Sequence, residues 1–226
     1  MSNWETRDAK HAADLLAGEH FGDRPEEKLD EIRSAKKKRA AYLCKKLGCN
    51  KESVVLEIGS GMGFTSKYVA TEVKQLSCCD ISASFLDMAK KECSGIPNIE
   101  FSRIDEEPAT FSFPDEFFDI IFADAVFIHL NLYDMFWYFS EFQRLVKGRG
   151  RVFINVKNAA KIDTKVLTQM ADFYRDDRDN LKTLLCWNSV GAVITVAEEF
   201  GFKLASRGRL WGLYQGASVD LLFRKR

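Results

Sequence analysis

Residues 54–63 read Val-Val-Leu-Glu-Ile-Gly-Ser-Gly-Met-Gly, a short apolar run followed at once by three glycines at alternate positions. The apolar run predicts a buried strand, and residues 64–71 after the glycines predict a helix. Glycines between a strand and a helix let the backbone turn sharply and approach a ligand closely, with the helix N-terminus behind them. The spacing therefore predicts a ligand-binding turn, although a plain tight turn would use the same residues.

The chain on both sides of this turn alternates strand and helix patterns. Because the strand segments are continuously apolar, the alternation predicts a parallel sheet covered by helices on both faces. A long N-terminal helix with early acids and late bases is predicted before it, as the helix dipole favours. The predicted strands are 53–58, 75–79, 98–104, 118–123, 151–156, a strand starting at 201–202, and 217–226, and the predicted helices are 25–47, 64–71, 82–93, 131–146 and 189–200.

The composition excludes several classes of protein. The 226 residues carry 33 Lys+Arg and 33 Asp+Glu, and 46% of them are hydrophobic, so the chain as a whole is not disordered. No apolar run reaches the roughly 18 residues of a membrane-spanning helix, and the first residues lack the pattern of a signal peptide. A neutral chain is not typical of a dedicated nucleic-acid binder. The six cysteines show no metal-binding spacing, so we expect reduced thiols, no metal and a cytoplasmic location.

Acidic residues follow two further predicted strands. Asp80 closes the second strand about 20 residues after the glycines, where an acid can accept hydrogen bonds from both ribose hydroxyls. Asp105 ends the third strand, where a carboxylate suits an exocyclic adenine amine. A dinucleotide-binding G-x-G-x-x-G fingerprint would need glycine at Phe64, which disfavours a nicotinamide dehydrogenase.

Taken together, these motifs resemble a class I S-adenosylmethionine-dependent methyltransferase of the small-molecule type, over roughly residues 50–226. Residues 54–63 resemble the family's first motif, Ile104-Asp105 its adenine-contacting pair, residues 118–130 its fourth-strand motif and residues 145–152 its turn into strand five. Gly148 and Arg149 stand where the family usually has Pro and Gly. The resemblance implies a Rossmann-like sandwich with a seven-stranded, mostly parallel sheet and an antiparallel last strand. It also implies an N-terminal helical lid, which we expect over residues 1–50, before a methyltransferase domain at 51–226.

The resemblance also implies the site residues. His129 is the candidate general base, although a histidine hydrogen-bonded at the start of the next helix is an equal alternative. Asp124 is the second candidate catalytic residue; it contacts the cofactor's amine or the acceptor, or only caps a turn. S-adenosylmethionine is the expected cofactor, and the residues expected to bind it are Glu57, Gly59, Gly61, Gly63, Phe64, Asp80, Ile81, Ile104, Asp105, Ala123 and Asp124.

The expected function is transfer of a methyl group to an oxygen or nitrogen atom of a small molecule. We expect no membrane partner and no nucleic-acid partner, and the sequence does not predict an oligomeric state. Two alternatives remain at this point. The chain could modify a protein or RNA through the basic residues of Lys36–Lys46, or it could be a non-catalytic, methyltransferase-like partner subunit.

Overall fold

The computed structural model describes residues 25–104, 110–162, 164–176, 185–209 and 217–226. The chain divides into two compact units, residues 1–106 and residues 107–226. The predictions for Asp105 and for residues 1–24 of the lid lie outside the described residues. None of the helices in the described ranges is long and apolar enough to cross a membrane.

The first unit is a three-stranded parallel sheet with helices between its strands, in the order β3-β2-β1. Strands β1 and β2 are almost wholly buried. The Ser82 hydroxyl caps α3 by accepting the Phe85 N–H at 3.2 Å. The elements are α1 Pro25–Leu47, β1 Val54–Ile58, α2 Ser66–Ala70, β2 Gln75–Asp80, α3 Ala83–Glu92 and β3 Ile99–Arg103.

A charged network joins the three helices of this unit. Glu92 at the end of α3 accepts hydrogen bonds from Arg33 of α1, at 2.9 and 3.1 Å, and from Lys67 of α2 at 3.1 Å. Burial alone would raise the pKa of Glu92, but these two cations lower it. Helix α1 is therefore attached to the sheet unit by an ion pair as well as by its buried face, which includes Leu43 and Leu47.

The second unit is a mixed sheet with the strand order β4-β5-β8-β7 and a short strand, β6, beside β5. Strand β5 is parallel to β4 and β6, whereas β8 is antiparallel to β5 and β7. Asn131 and Asp134 form a capping box at the start of α4. The elements are β4 Phe118–Ala123, α4 Leu132–Leu145, β5 Val146–Asn158, a 3₁₀ turn Ala159–Lys161, α5 Thr164–Asp176, β6 Trp187–Asn188, α6 Val190–Glu199, β7 Phe202–Arg209 and β8 Ser218–Lys225.

Aromatic side chains fill the core of the second unit. Phe139 and Phe142 of α4 pack against Phe127, and Phe139 also contacts Phe202 of β7 and Phe223 of β8, with ring centres 5.5–6.2 Å apart. All five rings are fully buried. Burial of each large apolar side chain contributes about 1.5–3 kcal/mol, so this cluster fixes α4 against the sheet. The fourth-strand segment that precedes α4 is thereby held in place.

The α/β class, the mostly parallel strands and the antiparallel last strand are confirmed. The described residues contain eight strands rather than seven, because β6 forms at Trp187–Asn188, where the sequence pattern predicts no strand. Strand β5 also begins earlier than predicted, at Val146 rather than at 151. The pairing with β4 shifts register between Phe118 and Ile120, and the expected turn becomes an irregular first part of the strand.

Candidate functional site

The glycine turn of the first unit is held directly by Asp80. The two carboxylate oxygens of Asp80 accept the N–H of Gly61 at 2.7 Å and the N–H of Ser82 at 3.0 Å. The carbonyl of Cys79, one residue earlier, accepts the N–H groups of Gly59 and Ser60. The ends of β1 and β2 are thus joined through the loop, and Asp80 fixes both the loop and the start of α3.

The glycines of the loop are needed for two different reasons. Gly59, Gly61 and Gly63 all have positive φ angles, of 71°, 53° and 79°, which non-glycine residues adopt only at a cost. A Cβ atom at Gly63 would lie 3.0 Å from Ala89, so the loop packs tightly on α3 there. A Cβ at Gly61 would meet nothing within 4 Å. The loop therefore leaves open space beside Gly61, as a cradle for a ligand requires.

Asp80 is only 7% exposed, and burial raises its pKa although its backbone hydrogen bonds act in the opposite direction. A carboxylate has about four acceptor positions, and the N–H groups of Gly61 in the loop and Ser82 at the start of α3 occupy two of them. The remaining positions fit the hydroxyl groups of a ribose. The acid and the open glycine loop are therefore compatible with a bound nucleoside.

The other predicted residues of the first unit lie around these strand ends. The Ile104 N–H donates to the Asp80 carbonyl at 3.1 Å, and the Ile81 carbonyl accepts from Arg103. Glu57 is buried in β1 and accepts from the Cys78 thiol at 3.4 Å. Phe64 is 8% exposed at the end of the loop. Ile81 and Ile104 thus flank Asp80, whereas the Glu57 carboxylate faces the neighbouring strand.

In the second unit, Ala123 and Asp124 lie at the carboxyl end of β4. Asp124 accepts a hydrogen bond from the Asn155 side-chain amide at 2.7 Å, and the Asn155 oxygen accepts the Ala125 N–H at 2.9 Å. Ala125 has a φ of 66°, an uncommon conformation for alanine that costs of order 1–3 kcal/mol. Asn155 is fully buried on β5. It therefore holds both the carboxylate of Asp124 and a strained turn in one geometry.

His129 is half-buried in the segment between β4 and α4, and two residues near β6 hold that segment. Cys186 donates its N–H to the Ile128 carbonyl at 2.7 Å and its thiol to the His129 carbonyl at 3.2 Å. The Asn188 amide donates to the Leu130 carbonyl at 2.9 Å. The backbone around the candidate base is thus fixed from the side of β6.

Sequence reasoning missed these supporting residues. Asn155 had a detectable signal, because it is a polar residue within the otherwise apolar run 152–156. Cys186 and Asn188 had none, since their contacts depend on a two-residue strand that no periodicity reveals. Among the described residues there is no group of acids, histidines and cysteines that could hold a metal ion.

Part of the chain is similar to known methyltransferases. Residues 56–154 match a family model described as a methyltransferase domain. The demethylmenaquinone methyltransferase of Tropheryma whipplei (strain Twist) is 30% identical over 132 residues, 58% of this chain and 52% of that protein. The phosphoethanolamine N-methyltransferase of Plasmodium falciparum (isolate 3D7) is 30% identical over 106 residues, 46% of this chain and 39% of that protein. The chain thus spans about half or less of the length of these curated relatives.

A solved structure gives the same fold over nearly the whole chain. The magnesium protoporphyrin IX methyltransferase from Synechocystis PCC 6803, solved with bound SAH, has a TM-score of 0.71 and 14% identity. The match covers 99% of this chain and 96% of that one. At this identity the likeness concerns the fold. Residues 56–154 are thus similar to a methyltransferase domain, and the fold of the chain is that of a solved methyltransferase.

Proposed function

We propose that the protein transfers a methyl group from S-adenosylmethionine to an oxygen or nitrogen atom of a small molecule. The observation that carries the proposal is the pairing of Asp80 with the glycine loop, where a buried carboxylate keeps acceptor positions beside open space at Gly61. Bound S-adenosylmethionine supplies an electrophilic methyl group on a positively charged sulfur.

The first unit holds the cofactor in this proposal. Asp80 accepts hydrogen bonds from the ribose hydroxyls, and the loop Gly59–Gly63 lets the backbone lie against the ligand. Ile81, Ile104 and Asp105 contact the adenine. Glu57 and Phe64 support the loop from β1 and from its far end. These assignments are implied by the family resemblance, and they agree with the general rule that ligands of open α/β sheets bind at the carboxyl ends of the strands.

The second unit handles the acceptor. Methyl transfer is an in-line displacement, so the protein contributes mainly by positioning the acceptor and excluding water. Ala123 and Asp124 contact the cofactor's methionine end, and Asp124 orients the acceptor because Asn155 fixes its carboxylate. His129 removes a proton from an acceptor that must lose one, and general-base catalysis of this kind contributes about 10²–10⁴-fold in rate.

The small size of the acceptor is supported by two observations. The chain has no net charge, whereas nucleic-acid binders commonly carry a basic excess. Two relatives are also named for small acceptors, demethylmenaquinone and phosphoethanolamine. Residues 1–50 form the lid over this acceptor in the proposal, and residues 51–226 form the catalytic domain.

The experiment uses S-adenosylmethionine carrying a radioactive methyl group. The full chain is incubated with a metabolite library, with total RNA and with lysate protein, and the label is counted in each fraction. We expect label in the small-molecule fraction, and turnover that His129→Ala lowers by about 10²–10⁴-fold with little change in cofactor affinity. Label only in RNA or protein would overturn the choice of acceptor. Cofactor binding without turnover on any fraction would favour a non-catalytic subunit.

A further inference from the structure

Two hydrogen-bond donors in the second unit are buried without an acceptor in the described part of the chain, and a largely buried lysine lies beside them. The Ser218 side chain is 3% exposed, and its hydroxyl has no hydrogen-bond partner among the described residues. The same holds for the buried indole N–H of Trp187. Lys157 is 7% exposed, and in the described part of the chain no carboxylate pairs with its ammonium group. These three residues are called the Lys157 cluster below.

The sheet register brings the members of the cluster together. Lys157 on β5 is directly opposite Ser218 on β8 and is paired with Trp187 on β6. Residues paired across neighbouring strands project from the same face of the sheet, with Cβ atoms about 4.5–5.5 Å apart. The Lys157 ammonium lies 5.9 Å from the centre of the Trp187 ring. The three donors therefore converge on one place at the end of β5.

The chemistry of the cluster selects a negatively charged oxygen. A lysine ammonium and an indole N–H only donate hydrogen bonds, and a serine hydroxyl donates as readily as it accepts. Burial lowers the pKa of Lys157. The Trp187 ring offers the ammonium a cation–π contact, but a largely buried cation without an anionic partner is costly. Asp220 lies on the same face, opposite Asn155 of β5, and has an interaction of its own. A bound carboxylate or phosphate supplies the acceptor that these donors lack.

The cluster also lies beside the proposed acceptor site. Lys157 follows Asn155 by two residues on β5, so their side chains project from the same face about 7 Å apart along the strand. Asn155 holds Asp124 at 2.7 Å. We propose that the Lys157 cluster binds an anionic oxygen group, a carboxylate or phosphate, of the methyl acceptor. This inference rests on the proposed function and makes the acceptor an anion whose charge is about 7 Å from the residues that orient its reacting atom.

The test uses matched probe molecules and titration calorimetry at neutral pH. Benzoate and phenyl phosphate carry the charge, and benzamide is the neutral counterpart of benzoate. We expect wild type to bind an anionic probe at least about tenfold more tightly than benzamide, as a charge-assisted bond worth about 1.4 kcal/mol or more requires. Lys157→Met, which keeps the length and packing of the side chain, loses this preference. Lys203→Met removes an exposed lysine of the same sheet and keeps it.

Three results would overturn the inference: no binding of either anion, equal binding of benzamide and benzoate, or an unchanged preference in Lys157→Met. If Lys157→Met does not fold, Ser218→Ala and Trp187→Phe are titrated in its place, with the same criterion. Affinity for S-adenosylmethionine is measured on the same samples. If the wild type does not bind S-adenosylmethionine, the proposed function is contradicted. The probe titrations decide the anion site independently of that result.

Discussion

Replacement of Asp80 perturbs the proposed cofactor site at its best-defined point. Its two oxygens already accept backbone N–H groups from Gly61 and Ser82, at 2.7 and 3.0 Å, and about two acceptor positions remain for ribose. A hydrogen bond to a charged group contributes about 1.5–3 kcal/mol, so loss of two weakens binding by about 3–6 kcal/mol. Since about 1.4 kcal/mol is a tenfold change, Asp80→Ala should bind the cofactor at least about 100-fold more weakly.

The assay has to separate lost ribose contacts from a disordered loop, because Asp80 also anchors Gly61. Titration calorimetry with S-adenosylhomocysteine and its 2′-deoxy and 3′-deoxy analogues makes this separation as a double-mutant cycle. Wild type should bind each deoxy analogue about tenfold more weakly than the parent, and Asp80→Ala should bind all three alike. Ser82→Ala, which removes the cap of α3 but keeps the backbone N–H to Asp80, should stay within about threefold of wild type. The reasoning is refuted if folded Asp80→Ala binds like wild type or still discriminates against the deoxy analogues.

Other sites give further tests. Arg149 has a φ of 63°, so Arg149→Gly should raise the melting temperature by about 2–4 °C. Gly150→Ala should lower the melting temperature, because a Cβ there would lie 2.9 Å from the Lys147 carbonyl oxygen. Calorimetric melting of both variants checks that their melting temperatures shift in opposite directions. Asn155→Leu should lower kcat by about tenfold or more with a small change in KM. Asn155→Asp keeps the oxygen facing Ala125 but loses the donor to Asp124, so it should also raise the pH at which activity appears. An unchanged pH profile in Asn155→Asp would show that the Asn155–Asp124 pair has no role in turnover. Because the pKa of Glu92 is lowered in the folded protein, its ion pairs stabilise the fold above the ordinary glutamate pKa and are lost as pH falls through the pKa of the folded state. Glu92→Gln should therefore melt about 2–4 °C below wild type at pH 7 and at the same temperature as wild type in strong acid. A difference in melting temperature that persists in strong acid would contradict this.

Much of the fold could be predicted from the sequence because its signals are local. Ser82 and Asn131 are capping residues at positions where the apolar pattern changes, and both cap helices in the structure. Residues 54–58 and 118–123 are apolar apart from Glu57 and Asp119, and both form largely buried strands. The positive φ angles of Gly59, Gly61 and Gly63 similarly agree with a sharp turn after a strand.

The parts that escaped prediction depend on contacts between distant residues. Strand β6 is two residues long and forms because Trp187 and Asn188 pair with the end of β5. A strand this short has no periodic pattern by which it could be predicted. Strand β5 begins at Val146 because Val146 pairs with Phe118 of β4. Arg149, within this extension, has a positive φ that a non-glycine residue rarely adopts, so the sequence does not predict it. Asn155 was visible as a polar residue in an apolar strand, but its partners, 30 and 31 positions away, were not.

The most direct test of the account is titration of the wild-type chain with S-adenosylmethionine, with NADH as the matched nucleotide control. The account predicts saturable binding of S-adenosylmethionine at one site per chain and no comparable binding of NADH, because the loop has Phe64 where a dinucleotide fingerprint needs glycine. Binding of NADH without binding of S-adenosylmethionine would contradict it.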